Sequence, residues 1–302
     1  MPDNSSASRV SVKKRGNKLG FWFFEIFLKI FGLQGAYVLL YAVALHYLFF
    51  DREAVTRALS YIKRRFSGCG FLKSRVHVYR LFVSQGKQLI DRFVILSGRQ
   101  LFDISLKGYN RLSALLSENE RGFVLLTAHA GNWQIALTAL KKMHRIVYLM
   151  MRPEDNPAVK ESLNIDGGDS FIKIISPESY LGGVVEAMNA LKNGGILSIM
   201  GDRKYSFEAA GVSFLKDEAY FPFGAFNLAA ASNVPVVILL SAKLPGRKYI
   251  VDVSNILYPR YNSSRDKKIQ LTGYVQEFAR VLEKYTLEYP YQCFLFHDVW
   301  AK

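Results

Sequence analysis

The sequence predicts an α/β fold in which helices flank a mostly parallel sheet, preceded by an amino-terminal membrane-anchoring helical segment. Short apolar runs alternate with helix-like stretches after residue 120, which is the pattern of strands joined by crossover helices. A long apolar segment precedes this region and reaches the roughly 20 residues that a helix needs to cross a bilayer. We therefore divide the chain into residues 1–20, 21–50, 51–118 and 119–302.

Residues 1–20 are predicted to be a basic tail and residues 21–50 the membrane-anchoring segment. The segment is apolar from Ile30 onward, and its aromatic first part suits the headgroup region of a bilayer. It lacks a small-residue cleavage site after a short apolar core, so we expect it to be retained. Basic residues flank both ends, and a segment that enters and leaves on the cytoplasmic face satisfies both flanks. A buried hairpin of core helices is the alternative.

Residues 51–118 are predicted to form a helical layer. Apolar residues recur three and four positions apart through AVTRALSYIKRRF and VYRLFVSQGKQLIDRFVILSG, with basic residues between them. These basic residues fit either a solvated helix face or a surface that contacts lipid headgroups. The sequence leaves both interpretations open.

Residues 119–302 are predicted to form the α/β core. Its candidate strands are the apolar runs FVLLTAH, IVYLMM, FIKIIS, ILSIMGD and VPVVILLSA. In open sheets of this kind, ligands bind at the carboxyl ends of the strands. Four polar residues lie at the ends of these runs: His129, Arg152, Asp202 and Arg203. We therefore expect a functional site at this edge of the sheet.

The formal net charge of the chain is +15, from 40 Lys and Arg residues against 25 Asp and Glu residues. A positive field attracts phosphate-bearing partners such as nucleic acid, anionic lipid or an acidic carrier protein. A nucleic-acid binder is disfavoured because no binding module is recognised and the apolar segment has no role in such a protein. Cys69 and Cys293 lack metal-ligand spacing, so neither a zinc site nor a disulfide scaffold is predicted.

His129 stands where a predicted strand gives way to a helix. Gly131 and Asn132 follow at the helix start, where backbone N–H groups can hold an oxyanion. A histidine in this position can accept a proton from a hydroxyl. Taken alone, however, such a histidine is more often structural.

Several motifs resemble those of a known enzyme family. In chain order they are TAHAGNWQIAL, MMRPEDNP, IMGDRK and YFPFGAFNLAAASNVPVV. They resemble the successive motifs of the bacterial lipid A biosynthesis acyltransferases, the lauroyl and myristoyl transferases within the wider glycerolipid acyltransferases. The stretch YPYQCFLFHDVW resembles that family's PEQWFWFH-type ending. The order and approximate spacing match across nearly the whole chain, including the membrane-anchored start.

The resemblance implies a mechanism in which His129 is the general base. The histidine would remove the proton from an acceptor hydroxyl, whose oxygen then attacks the thioester carbonyl of an acyl donor. The family has an acid five residues after this histidine, whereas this chain has Gln134. The glutamine amide oxygen can accept a hydrogen bond from the imidazole, but it supplies no negative charge. Three alternatives remain: a slower or divergent acyltransferase, an enzyme that recruits another carboxylate such as Asp202, or a protein without catalysis.

The resemblance also implies substrate-binding residues. Arg152 matches the family's arginine, which would hold a phosphate of the acceptor or of the donor's phosphopantetheine. Arg203 is a further candidate for phosphate binding, and Asp202 is a candidate for orienting its neighbours. Asn132 completes the predicted substrate-binding set.

Two further stretches match the family's later motifs. Phe221–Gly224 is predicted to form a tight loop whose aromatic side chains either line an acyl channel or belong to the core. His297 and Trp300 match the family's ending, and we expect a structural role for both. Asp298 and Val299 stand where the family often carries basic residues, so a headgroup contact is not expected there.

These observations together predict a membrane-associated O-acyltransferase at the cytoplasmic face of the bacterial inner membrane, active in lipid A biosynthesis. It would move a fatty acyl group from an acyl-carrier-protein or acyl-CoA thioester to a hydroxyl of a lipid A-type or other lipid acceptor. The thioester is a substrate, and no metal or bound organic cofactor is expected. The alternative is a catalytically silent relative that acts as a membrane scaffold or lipid-binding protein.

Overall fold

A computed structural model of the chain describes residues 18–118, 120–140, 143–151, 171–203, 208–263 and 265–301. The helices are α1 (Lys18–Phe50), α2 (Arg52–Arg65), α3 (Phe71–Leu96), α4 (Tyr109–Glu118), α5 (Trp133–Leu140), α6 (Val184–Lys192), α7 (Gly224–Ser232) and α8 (Lys267–Glu288). The strands are β1 (Asp103–Lys107), β2 (Phe123–Thr127), β3 (Val147–Met150), β4 (Ile172–Ile175), β5 (Ile196–Met200), β6 (Ala209–Phe214), β7 (Asp217–Pro222), β8 (Val236–Leu244) and β9 (Lys248–Leu257). A short 3₁₀ helix, Tyr180–Gly183, precedes α6.

The large sheet contains seven strands in the order β1-β9-β8-β2-β5-β3-β4. Neighbouring strands are parallel except in the antiparallel β8–β9 hairpin. Strands β6 and β7 form a separate antiparallel pair. The predicted α/β fold, a mostly parallel sheet flanked by helices, is confirmed.

Strand β2 lies inside the sheet and is buried at all five positions. Its side chains alternate between two apolar cores, as the period of a strand requires. Val124 and Leu126 belong to the core that contains residues of α7 and α8. Phe123 and Leu125 belong to the core on the α4 and α5 side. Because both faces of β2 are covered, its sequence FVLLT is a continuous apolar run.

Strand β1 is a correction to the sequence analysis, which predicted that residues 51–118 are helical. That prediction is wrong over Asp103–Lys107, which pairs in parallel with β9 at one edge of the sheet. The exposure of β1 alternates along its five residues, with Ile104 and Leu106 half-buried. Two apolar residues in so short a segment fit a helix as well as a strand. Pairing with a strand about 145 positions later decides the outcome, and local periodicity cannot show such a partner.

Helix α1 is apolar on both its packed and its exposed sides. It is bent at Gly32, whose backbone has φ 66° and ψ −169°, a conformation that favours glycine. One face packs against α3 through Leu33, Ala36 and Leu40, whereas large side chains such as Phe50 are exposed on the other. Ile26–Phe50 is the one helical stretch among the described residues that is long and apolar enough to cross a membrane. The exposed apolar face does not fit a buried core hairpin, and membrane anchoring stays a prediction.

Helices α2 and α3 pack between α1 and the α/β core. Tyr61 of α2 is fully buried and donates a hydrogen bond to the carbonyl of Pro290 at 2.8 Å. The basic end of α2 also contacts the core: Arg64 pairs with Asp217 at 2.6 Å, and Arg65 donates to a backbone carbonyl of α8 at 2.8 Å. These two arginines therefore join the helical layer to the core, a role that neither sequence interpretation of the basic residues included.

Candidate active site

His129 and Asp202 lie side by side at the carboxyl ends of β2 and β5. The two strands are parallel, and Thr127 is paired with Met200. Each of the two polar residues comes two positions after its strand ends. The backbone N–H of Gly201 donates to the Thr127 carbonyl at 2.8 Å, which continues the ladder beyond the strands. The register of the sheet thus brings together two residues that are 73 positions apart in the chain.

The imidazole of His129 faces the carboxylate of Asp202. Nδ1 of the ring lies 3.1 Å from both carboxylate oxygens, and the backbone N–H of His129 donates to Oδ2 at 2.8 Å. The aspartate side chain is fully buried, whereas 29% of the histidine side chain is exposed. A proton held on Nδ1 by the carboxylate leaves Nε2 as the basic nitrogen of the ring.

Asp202 keeps its negative charge although it is buried. Burial alone would raise its pKa, but the charge of His129, the hydrogen bonds from that residue and the charge of His297 outweigh burial and lower the pKa to about 2. The carboxyl group is therefore ionised at neutral pH. A charged, immobile carboxylate behind a partly exposed histidine can fix the ring tautomer and stabilise an imidazolium.

The carboxyl-terminal segment, residues 292–297, is hydrogen-bonded to this pair. His297 donates from Nε2 to the backbone carbonyl of Asp202 at 2.5 Å, and its ring lies edge-on to the His129 ring with centroids 5.4 Å apart. The backbone N–H of Phe294 donates to the His129 carbonyl at 2.6 Å. Burial lowers the pKa of His297, so its ring is neutral at neutral pH. His297 thus helps to position Asp202, a structural contact within the site.

The loop after His129 is fixed by β8 and by the carboxyl-terminal segment. Gly131 has φ 62°, and a Cβ at this position would lie 1.6 Å from the carbonyl oxygen of Ser241, so the close approach requires glycine. The backbone N–H of Gly131 donates to the Gln292 carbonyl at 2.7 Å, and that of Asn132 donates to Ser241 Oγ at 2.7 Å. These two N–H groups are therefore used within the protein, and the expected oxyanion support is not available from them.

The side chain of Asn132 is buried and holds neighbouring elements together. Its amide nitrogen donates to the carbonyl of Gln88 in α3 at 2.8 Å. Its amide oxygen accepts a weak hydrogen bond from the backbone N–H of Ile135 at 3.4 Å, in the first turn of α5. The contact of Asn132 with substrate stays a prediction.

Gln134 is buried and faces an arginine. Its amide oxygen accepts a hydrogen bond from the guanidinium of Arg92 in α3. The predicted role of Gln134 in orienting the His129 ring stays a prediction. The His129 ring has a carboxylate partner in Asp202. Among the three alternatives left by the sequence, this geometry fits an enzyme that uses another carboxylate.

A cavity of about 390 Å³ opens beside His129. It is lined by residues of α2 and α3, of the loop after β2 and the start of α5, of the loop after β5 and of the carboxyl-terminal segment. The polar lining includes two histidines, side-chain amides and three arginines: His129, His297, Gln88, Asn132, Gln134, Arg57, Arg92 and Arg203. The apolar lining includes Leu89, Trp133, Phe294 and Phe296. No carboxylate is among the described residues that line this cavity, so its wall is positively charged.

The two arginines predicted to bind phosphate differ in what the structure describes. Arg203, which follows Asp202 in the chain, lines the cavity. Arg152 lies outside the described residues. Phosphate binding by either residue stays a prediction.

The later aromatic motifs belong to the core. Phe221 is fully buried, and its ring lies edge-on to the rings of Phe214 and Phe278 with centroids 5.4 and 5.9 Å away. Trp300 stacks on Phe214 at 5.7 Å and lies under the guanidinium of Arg64. Phe221 therefore belongs to the core, which was one of its two predicted places, the other being an acyl channel. The packing of Trp300 agrees with the structural role expected for it.

The same residues at the centre of the site could also hold a cation. His129, Asp202 and His297 each offer one ligand atom, and these atoms lie within 4.8 Å of one another. Two imidazoles and a carboxylate are ligands that suit a transition metal. In the structure the two residues His129 and His297 are hydrogen-bonded to Asp202 instead. The expectation of a metal-independent site stays a prediction.

Helices α2 and α3 contribute residues to the site that the sequence did not predict. Arg57, Gln88 and Arg92 line the cavity, whereas the basic residues of these helices were expected to face solvent or lipid headgroups. A partial signal was present in Asp91 and Arg92, two adjacent charges flanked by apolar residues on both sides. Charged residues in such a setting require partners when they are buried.

The comparisons with known proteins concern the same part of the chain. The sequence model of a family described as bacterial lipid A biosynthesis acyltransferase matches residues 99–302. Among curated proteins, none matches the sequence. The family match covers more than half of the 302 residues and includes His129, Asp202 and His297.

Proposed function

The chain belongs to the bacterial lipid A biosynthesis acyltransferase family, and on this premise we propose that it transfers a fatty acyl group from a thioester donor to a hydroxyl of a lipid acceptor. Membership of the family implies lipid acyltransferase activity. The resemblance seen in the motifs is confirmed by the family match. The observation that carries the proposed chemistry is the His129–Asp202 pair beside a positively charged cavity.

In the proposed reaction, Nε2 of His129 accepts the proton of the acceptor hydroxyl while the oxygen attacks the thioester carbonyl. A carbon–oxygen bond forms and gives a tetrahedral oxyanion. When this intermediate collapses, the carbon–sulfur bond breaks, and the leaving thiolate takes the proton from the imidazolium. Asp202 holds the Nδ1 proton throughout and stabilises the imidazolium by its negative charge.

The proposed substrates follow from the charge of the cavity and from the family. The donor is an acyl-carrier-protein or acyl-CoA thioester, and both carry phosphate groups that a positive wall attracts. The acceptor is a lipid A-type or other lipid hydroxyl, in keeping with lipid A biosynthesis. The donor is consumed as a substrate, so the proposal includes no bound cofactor.

The proposed location is the cytoplasmic face of the bacterial inner membrane. Helix α1 supports membrane anchoring through its length, its apolar composition and its exposed apolar face. A cytoplasmic catalytic domain would meet the thioester donor in the aqueous phase and the acceptor at the membrane surface.

The function is tested by lipid mass spectrometry of cells that lack this protein. We expect one lipid class to lose a fatty acyl mass and to regain it with the wild type but not with His129→Asn. The matched control is His144→Asn, since His144 is exposed, lies outside the cavity and has φ 52°, a conformation that asparagine tolerates. Restoration by His129→Asn, with protein levels equal to wild type, would remove His129 from the mechanism.

The second candidate function is a catalytically silent membrane scaffold or lipid-binding protein. The observation that favours it is the neutral Gln134 at the position of the family's acid. It predicts that the wild type and His129→Asn are indistinguishable in every lipid class. The carboxylate of Asp202 behind His129 favours the enzyme, since a silent protein does not need a charged partner for this ring.

A further inference from the structure

We propose that Arg92 and Gln134 form a subsite for a phosphate group of a substrate, in which the glutamine orients the arginine without neutralising it. The inference rests on the proposed function, because the phosphate is taken to belong to the donor or to the acceptor. It assigns a role to Gln134 that differs from the orienting role of the family's acid.

Arg92 lies in α3 with its guanidinium turned toward the cavity and hydrogen-bonded to Gln134. Among the described residues, no carboxylate comes within ion-pair distance of it, although its neighbour Asp91 is fully buried and paired elsewhere. Burial lowers the pKa of Arg92, but arginine remains protonated in proteins. A partly buried charge without a counter-ion is unfavourable, so this position favours an anionic ligand.

The rest of the cavity wall indicates the charge of that ligand. Arg57 and Arg203 line the same cavity, and no acid does so among the described residues. Arg57 is paired with Glu53 at 2.5 Å, whereas Arg92 donates its hydrogen bond to the neutral amide of Gln134. More than one guanidinium around one space suits a ligand with more than one negative charge. A phosphate fits this requirement better than a carboxylate, and the planar fork of arginine can bind two of its oxygens.

The identity of residue 134 decides whether Arg92 is available. A glutamate at this position would form an ion pair with Arg92, cancel its charge and compete with a phosphate for its N–H groups. Glutamine keeps the hydrogen bond and leaves the positive charge in place. The negative charge behind His129 comes from Asp202 instead. In this proposal Asp202 orients the base His129, and Gln134 holds the cationic Arg92 in place.

The first test measures binding of inorganic phosphate to the full chain in detergent micelles. The change in tryptophan fluorescence reports the titration at constant ionic strength, because Trp133 lines the cavity. We expect Arg92→Gln and Gln134→Glu each to weaken phosphate binding by about tenfold or more, the loss of one charge-assisted hydrogen bond. The control Arg80→Gln removes an equal charge from an exposed part of α3 and should stay within about twofold of wild type.

The glutamate variant separates a binding role from a structural one. If Arg92 serves only to hold α5 against α3, Gln134→Glu strengthens that contact and leaves phosphate binding unchanged. That result would overturn the proposal even if Arg92→Gln fails to fold. Weaker binding in a Gln134→Glu protein that unfolds at or above the wild-type temperature supports it.

The second test identifies which substrate carries the phosphate. The two KM values and kcat are measured for wild type and Arg92→Gln with an acyl thioester and a phosphorylated lipid acceptor. A rise of about tenfold in the acceptor KM assigns the phosphate to the acceptor, and the same rise in the donor KM assigns it to the donor. Unchanged KM values with a lower kcat would contradict the subsite. If the wild type transfers no acyl group, the proposed function fails while the phosphate titration still tests Arg92.

Discussion

Two fully buried aspartates, Asp91 in α3 and Asp202 after β5, differ in their partners, and in the proposed function the same charge serves stability in one place and chemistry in the other. Asp91 accepts hydrogen bonds from the hydroxyl of Tyr37, from the hydroxyl of Tyr249 at 2.5 Å and from the ammonium of Lys243. Its partners come from α1, β8 and β9. The group joins the helical layer to the sheet, and none of its members is among the residues that line the cavity beside His129.

Asp202 has a different kind of partner. Its carboxylate faces His129, whose ring is partly exposed and lines the cavity. The ammonium paired with Asp91, in contrast, is covered by the rings of Phe102 and Tyr249 at 5.0 and 5.1 Å. A buried carboxylate is therefore suited to catalysis when its partner can exchange a proton with a ligand. It is suited to stabilising the fold when its partner is covered by other side chains.

The largest effect that tests this contrast is expected for Asp202→Asn. Loss of the charge behind His129 should lower turnover on the order of 1000-fold or more, because the neutral amide neither fixes the tautomer nor stabilises the imidazolium. Initial rates with an acyl thioester and the lipid acceptor measure this. Asp91→Asn provides the comparison, and its rate per folded molecule should stay within about fivefold of wild type. Equal losses of rate in the two variants would remove the distinction.

The next effect is on stability and is expected for Asp91→Asn. The substitution leaves the ammonium of Lys243 buried without a counter-ion, which should lower the free energy of unfolding by about 3–5 kcal/mol. Thermal unfolding in detergent, followed by circular dichroism, measures the change. Adding Lys243→Met to Asp91→Asn should recover part of the loss, since the uncompensated charge is then removed. A double variant less stable than the single one would show that the pair is not the cause.

A smaller loss is expected for Tyr249→Phe. The change removes one hydrogen bond to the charged Asp91 and should cost about 1.5–3 kcal/mol. Burial, together with the charge of Asp91, raises the pKa of Tyr249 far above its ordinary value. The hydroxyl therefore keeps its proton, and the loss of stability should be constant between about pH 6 and pH 9. Tyr289→Phe is the matched control, since that exposed hydroxyl bonds only its neighbour Glu288 among the described contacts. Equal effects of the two variants would contradict the burial argument.

The smallest effect concerns pH and His297. Burial lowers the pKa of His297 below its ordinary 6.5, so the unfolded chain binds this proton more readily than the folded one. Stability from this residue is therefore complete above about pH 6.5 and falls as the pH drops through the folded pKa, by at most ~1.4 kcal/mol per pH unit. Unfolding temperatures between pH 5 and pH 8 measure the slope. His297→Gln should flatten it, and a slope that stays unchanged would assign the proton to another group.

The sequence predicted the sheet and one side of the site because both depend on local signals. Buried strands such as β2 are continuous apolar runs, and His129 and Asp202 each follow one of them. The general rule for ligand positions in such sheets then placed both residues at one edge. Their contact depends on β5 being the neighbour of β2 and on the pairing of Thr127 with Met200. The hydrophobic periodicity of the sequence does not predict this strand order or this pairing.

The other side of the site could not be predicted because it depends on how separate layers pack. Amphipathic spacing shows that α3 has an apolar face, but it does not show that Arg92 turns toward the loop after β2. The family motif drew attention to the residue five positions after His129, whereas the carboxylate observed at the ring lies 73 positions away. Edge strand β1 was missed for a similar reason, since its partner is distant in the chain.

The hydrogen bonds from residues 292–297 to the loop after His129 also impose an order of assembly during protein synthesis. His297 lies 95 positions after Asp202, so the ribosome makes this segment long after both halves of the histidine–aspartate pair. Until then, the backbone N–H of Gly131 and the backbone carbonyls of His129 and Asp202 lack the hydrogen bonds that this segment provides. Helix α1, in contrast, precedes all of these residues in the chain. The apolar helix is therefore made before the candidate site is complete, and under the proposed function an unfinished chain has no assembled site for acyl transfer.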